Sequence, residues 1–188
     1  MTEQAPLLLG VISQEAAAIL LSVLVAFILG GVAVSGERHT AASRLSFETV
    51  RRTNWDADYI EKRREFVGLR DSTQGLEIYA ADQPPQGMQQ DEYLMHRAAI
   101  LAILNDRENT AIGIRRSILD EEYLYRYMRS GVIDDWEASS ALVIAFRRLK
   151  KNPMLFVEFE GLAAQWQNGT SYRTDRKMPV RNRHVRIR

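Results

Sequence analysis

Apolar residues fill every position of one early stretch, return at three- and four-residue spacings through most of the chain, and give way to basic residues at the end. From Ala16 to Gly36 there are 21 residues without a charge, built from Ala, Ile, Leu, Val, Phe, Gly and two serines. In helical form such a stretch reaches about 30 Å, enough to cross a hydrocarbon core. A buried core helix would show polar residues on one side, whereas here every side is apolar. The pattern therefore predicts a transmembrane helix over 16–36.

After the span the pattern predicts a succession of helices. Residues 37–55 form a juxtamembrane helix or linker, weakly amphipathic through Ala41, Leu45, Glu48 and Arg52. Asn54-Trp55-Asp56 breaks it with a capping acid, and a second helix runs from about Asp56 to Arg70 with Tyr59, Ile60, Phe66 and Val67 on its apolar face. Asp71 to Gln90 holds Gly75, Pro84, Pro85 and Gly87, a loop composition. It exceeds the usual connection, so it is either mobile or carries a short element around Leu76 to Tyr79.

A third helix is expected from near Gln89 to Arg115, with Leu94, Ala98, Leu101, Leu104, Glu108 and Ile112 on one face. Asp120-Glu121-Glu122 opens a fourth that reaches about Ser130 and stops at Gly131. Asp134 and Asp135 open a fifth through Lys151, and Pro153 sits at the first turn of a sixth ending near Gln167. Acids begin these helices and bases end them, as the helix macrodipole favours. No alternating strand pattern appears after the span. The expected fold is all-α: one N-terminal transmembrane helix, a cytoplasmic bundle of about five helices over 56–168, and a disordered basic tail over 169–188.

The formal net charge of +1 conceals zoning. Tyr172 to Arg188 holds Arg173, Arg176, Lys177, Arg181, Arg183, Arg186 and Arg188 against Asp175, a net +6 that leaves −5 for the rest. Arg38, Arg44, Arg51 and Arg52 come after the span within about 20 residues, the range over which Lys and Arg hold a flank on the cytoplasmic side. The expectation is a single-pass protein of the inner (plasma) membrane, with the short N-terminus 1–15 outside and everything after Gly36 cytoplasmic. Met1 to Glu15 lack the basic start of a signal peptide, although Ala33-Val34-Ser35 resembles a cleavage site. The absence of cysteine suits a reducing compartment.

Candidate chemistry is sparse. Ala18, Ser22, Ala26 and Gly30 recur every four residues, a row that would let two such helices approach closely and self-associate, although membrane helices are rich in small residues anyway. His39, His96 and His184 are far apart and without cysteine companions, so no metal is expected, and no glycine loop or nucleophile elbow calls for a cofactor. Asn105, Glu108 and Arg115 share a helix face at spacings of three and seven, and Glu160 lies among Phe156, Phe159 and Trp166. A carboxylate in apolar surroundings acts as an acid or base if its pKa is raised, but pairing of Glu108 or Glu160 with Arg115 or Arg147 across the bundle is the preferred reading.

At Leu104-Asn105, Glu108, Ile112-Gly113-Ile114 and Leu119-Asp120-Glu121, followed by Trp136, Arg147, Phe156-Val157-Glu158-Phe159-Glu160 and Trp166, the chain resembles the bacterial family catalogued as domain of unknown function 4760. The similarity covers roughly the span to residue 168, is best from Ala99 to Trp166, and excludes the basic tail. The resemblance implies an N-terminal membrane helix paired with a helical cytoplasmic domain, and it brings no activity. The leading expectation is thus a membrane-tethered interaction or structural protein and not an enzyme, its partner unnamed. The tail would contact anionic lipid, or alternatively nucleic acid, or remain a solvated end. An enzyme working through Glu108 and Glu160 is the third reading.

Overall fold

A computed structural model describes residues 14–173, with side chains from Ile19 onward. Among these residues there are five α-helices and a short 3₁₀ helix, and no strand. They are α1 (Gln14–Trp55), α2 (Ala57–Arg70), the 3₁₀ helix Leu76–Ala80, α3 (Gln90–Arg115), α4 (Glu121–Leu149) and α5 (Val157–Gln167). The all-α expectation is met. Contacts divide the chain into two units, one ending at Thr40 and one beginning at Ala41.

The first unit contains the apolar part of α1. It is long and apolar enough to cross a membrane, and none of its most apolar window is buried. Phe27 is 79% exposed, and Ile19, Leu20, Leu21, Leu29 and Val32 are exposed as well.

The second unit takes in Ala41–Trp55, the part of α1 that the sequence set apart as a juxtamembrane segment. Ser46 and Val50 face its interior, not Ala41, Leu45, Glu48 and Arg52. Asp56 ends α1 and caps α2, its carboxylate accepting the N–H of Asp58 at 3.1 Å and of Tyr59 at 3.3 Å. In the core, α3 packs against α2 and α5, while α4 packs against α5 and the 3₁₀ helix. Phe66, Leu76, Tyr93, Ile100, Ile103, Leu104, Ile114, Leu124, Leu142, Phe159, Leu162 and Trp166 are all fully buried there. Of the two alternatives for the long loop, the short element is the one present, as the 3₁₀ helix Leu76–Ala80.

Three expectations are corrected. The fourth and fifth helices are one, α4, which passes through Gly131 without a stop. Glycine costs roughly 1 kcal/mol in a helix interior, but the buried stripe Leu124, Met128, Val132, Asp135, Ser139, Leu142 keeps its period across it, and packing overrides propensity. Asp135 is no helix start, since it lies mid-helix and fully buried. Second, α5 begins at Val157 and not at Pro153, with Phe156 in the left-handed region at φ 56° turning the chain into it. Third, the face of α3 is rotated. Leu94 and Ala98 are exposed, while Ile100, Ile103, Arg107, Thr110, Ala111 and Ile114 point inward with Leu104. Two charged residues share the buried side because they meet charged partners from other helices.

Candidate functional site

Three clusters of polar side chains among the described residues tie elements of the helical unit together. The deepest surrounds Asp135 of α4, which is fully buried. Its carboxylate accepts from Arg63 of α2 at 2.6 Å, from Arg107 of α3 at 3.0 Å and from Arg70 of α2 at 3.3 Å. Burial, the largest single influence, pulls the Arg107 guanidinium down, but Asp135, Tyr59 and Asp106 together outweigh it and hold Arg107 above its ordinary value. Beside it, Asp106 accepts from Arg52 of α1 and from the Tyr59 hydroxyl at 3.1 Å. Burial pushes the Tyr59 hydroxyl up to about 12.

None of these residues was placed in a polar cluster from the sequence: Asp135 was expected to open a helix, Tyr59 to lie on an apolar face and Arg52 to flank the span. The signal was present: Arg107 stands three and seven residues after Leu104 and Ile100, and Asp135 three residues after Val132 and seven before Leu142, charges set on apolar stripes. Reading the acid pair Asp134-Asp135 as a helix start hid it.

The second cluster caps α5. Glu108 of α3 accepts the backbone N–H of Phe159 at 2.7 Å and of Glu158 at 3.4 Å, groups left without helical partners at a helix start. Arg115 pairs with Glu158, and Arg147 of α4 reaches Glu160 at 2.8 Å and the Leu155 carbonyl at 2.8 Å. At the other end of α5, Arg129 of α4 donates to the Trp166 carbonyl at 3.0 Å. Of the five residues expected to form a polar network, Arg147 and Glu160 pair with each other, one of the anticipated ion pairs, while Arg115 pairs with Glu158 and Glu108 caps α5. Asn105 is exposed and stands apart.

Burial raises the Glu108 carboxyl above its ordinary value, and the two backbone N–H groups pull against this without cancelling it. An acid raised in the folded state favours that state while protonated. Its contribution is present below the ordinary carboxylate range and is lost as pH rises through the raised value. Glu108→Gln keeps a carbonyl for the Phe159 N–H and is expected to flatten the dependence of Tm on pH across that window. Parallel slopes for the two proteins would contradict the assignment.

The third cluster centres on Glu121 of α4, 5% exposed. It accepts the Trp166 indole N–H at 3.0 Å and the backbone N–H groups of Tyr172 and Arg173, with the Ser171 hydroxyl donating as well. The Tyr172 hydroxyl donates to Glu158 at 2.6 Å, and burial first, then that bond, raises it. The Tyr172 ring lies over Gly161, where a Cβ would come within 2.8 Å of it. A glycine inside α5 is thereby explained: it seats the strap Ser171–Arg173.

Of the other residues named from sequence, Ser22 turns its hydroxyl back to the Ile19 carbonyl at 2.8 Å, and Ala26 and Gly30 are exposed. Ala18 lies in α1, but its side chain is outside the described set. Arg173 is described; Arg176, Lys177, Arg181, Arg183, Arg186 and Arg188 lie outside the described residues.

In all three clusters the carboxylates act as acceptors for arginines, indole and helix-end amides, an arrangement that locks helices and a strap together. No curated protein and no solved structure matches the chain. The profile described as Domain of unknown function (DUF4760) matches residues 16–166, covering the apolar helix and the helical unit up to Trp166, and the chain belongs to that family.

Proposed function

We propose that the protein is a single-pass membrane-anchored interaction protein of a bacterial inner membrane, with its N-terminus outside and its helical unit presented to the cytoplasm. One observation carries the reading. The apolar side chains of α1 from Ile19 to Val34 lie open on every side, a surface that water does not tolerate and a bilayer would cover. Arg38, Arg44, Arg51 and Arg52 beyond it favour the cytoplasmic side for the helical unit.

Self-association through Ala18, Ser22, Ala26 and Gly30 belongs to this proposal, as does contact of the basic tail with anionic lipid. So does the absence of catalysis, which the capping role of Glu108 and the ion pair of Glu160 support.

The full chain is expected to stay with membranes through an alkaline carbonate wash and to be released only by detergent. Recovery in the soluble fraction without detergent would end the reading. Orientation is tested with Leu149→Cys, an exposed site in a chain that has no other cysteine. An impermeant maleimide should label it in inverted vesicles and not in intact cells, and the reverse result would turn the topology around.

A further inference from the structure

The turn between α3 and α4 lies where the folded unit begins. Asp120, which caps α4, accepts the Ser43 hydroxyl at 3.0 Å, and its own N–H donates to Ser46 Oγ at 2.7 Å. Ser43 and Ser46 stand in the first two turns of that unit, nine and twelve residues after Val34.

The turn also has an unusual shape. The N–H groups of Ile118 and Leu119 both donate to the Gly113 carbonyl, at 2.9 and 3.1 Å, and Ser117 takes a positive φ of 57°. This conformation is uncommon for a residue other than glycine. It sends Leu119 inward against Gly113 and leaves Ile118 50% exposed, two residues after the exposed Arg115-Arg116 pair. Arg44, next to Ser43, is exposed too.

The carboxylates of this corner are turned to partners of their own. Asp120 serves Ser43 and the start of α4, Glu121 serves Trp166 and the strap, and Glu158 serves Arg115 and Tyr172. Exposed Glu122 pairs with Arg126. Because the strap is held by Glu121, the chain reaches Arg173, the first of its seven terminal bases, at the same corner. Two separate segments, α1 and the α3–α4 turn, therefore bring exposed arginines to the corner that carries one exposed isoleucine.

We infer that this corner, formed by Arg44, Arg115, Arg116 and Ile118, is the face that rests on a bilayer carrying anionic lipid, an assignment that depends on the anchoring proposed above. Arg44 and Arg116 meet lipid phosphates bidentately while Arg115 stays with Glu158, and the isoleucine enters the apolar margin between them.

The test uses the full chain with a single cysteine, Ile118→Cys or Leu149→Cys, labelled with an environment-sensitive fluorophore. Leu149 is exposed and lies at the opposite end of the 29-residue α4. Each protein is reconstituted in nanodiscs of phosphatidylcholine, with or without phosphatidylglycerol, and quenched by a lipid bearing a headgroup nitroxide. Quenching at position 118 is expected to exceed that at 149 severalfold and to rise with phosphatidylglycerol. Arg44→Gln combined with Arg116→Gln should abolish that rise, and so should salt well above physiological, where screening shortens to a few ångströms.

Equal quenching at the two positions, or protection of position 118 by RNA and not by lipid, would overturn the inference while leaving the anchor intact. A chain that fails to enter the nanodisc would remove both.

Discussion

Replacing Asp135 with alanine is expected to lower the unfolding free energy of the full chain by about 3–5 kcal/mol, the range found when one partner of a buried ion pair is removed. The reason is Arg107. Its side chain is 5% exposed and its guanidinium cannot shed its proton, so without Asp135 it stays a buried cation whose nearest remaining carboxylate is Asp106 at 3.7 Å. Arg63 and Arg70, at 24% and 20% exposure, can turn to water and are less affected.

Urea titration in detergent, followed by circular dichroism, measures the loss. The double variant Asp135→Leu with Arg107→Met should recover most of it, because the pair is then replaced by apolar volume and no charge is left alone. A loss below about 1 kcal/mol for the single variant, the scale of surface pairs, would show that the cluster does not lock the helices.

Glu121→Ala should cost about 2–4 kcal/mol, since hydrogen bonds to a charged acceptor are worth roughly 1.5–3 kcal/mol and the fully buried Trp166 indole N–H would be left unpaired. The same substitution frees the strap, because three of its donors converge on this carboxylate. Limited proteolysis should therefore cut after Arg173 sooner than in the unaltered chain, at urea concentrations where the helices remain intact. Glu121→Gln, which keeps an acceptor oxygen but presents an amide to donors, should fall between the two. If cleavage and unfolding both match the unaltered chain, Glu121 is not the clamp.

Local composition and period were enough for part of this architecture. A run of 21 uncharged and almost wholly apolar residues has no polar side to offer, so the apolar part of α1 was legible. Asp56 followed by an amphipathic segment placed the start of α2 within one residue, and Gln90–Arg115 emerged as one helix. The all-α class came from the same patterns, and the family from the resemblance at residues such as Leu104-Asn105, Glu108 and Ile112-Gly113-Ile114.

Contacts between distant segments decided which side of each helix is inside and where the acids act. Glycine and paired aspartates at 131, 134 and 135 carry the same local signal whether they end one helix and begin another or lie within a single one. The arginines of α2 and α3, distant in sequence, settle the matter by meeting Asp135. Likewise Glu121 reads as a helix-start acid until Trp166 and Tyr172 arrive from 45 and 51 residues away. Long-range charge pairing fixed these positions, and no window of neighbouring residues contains it.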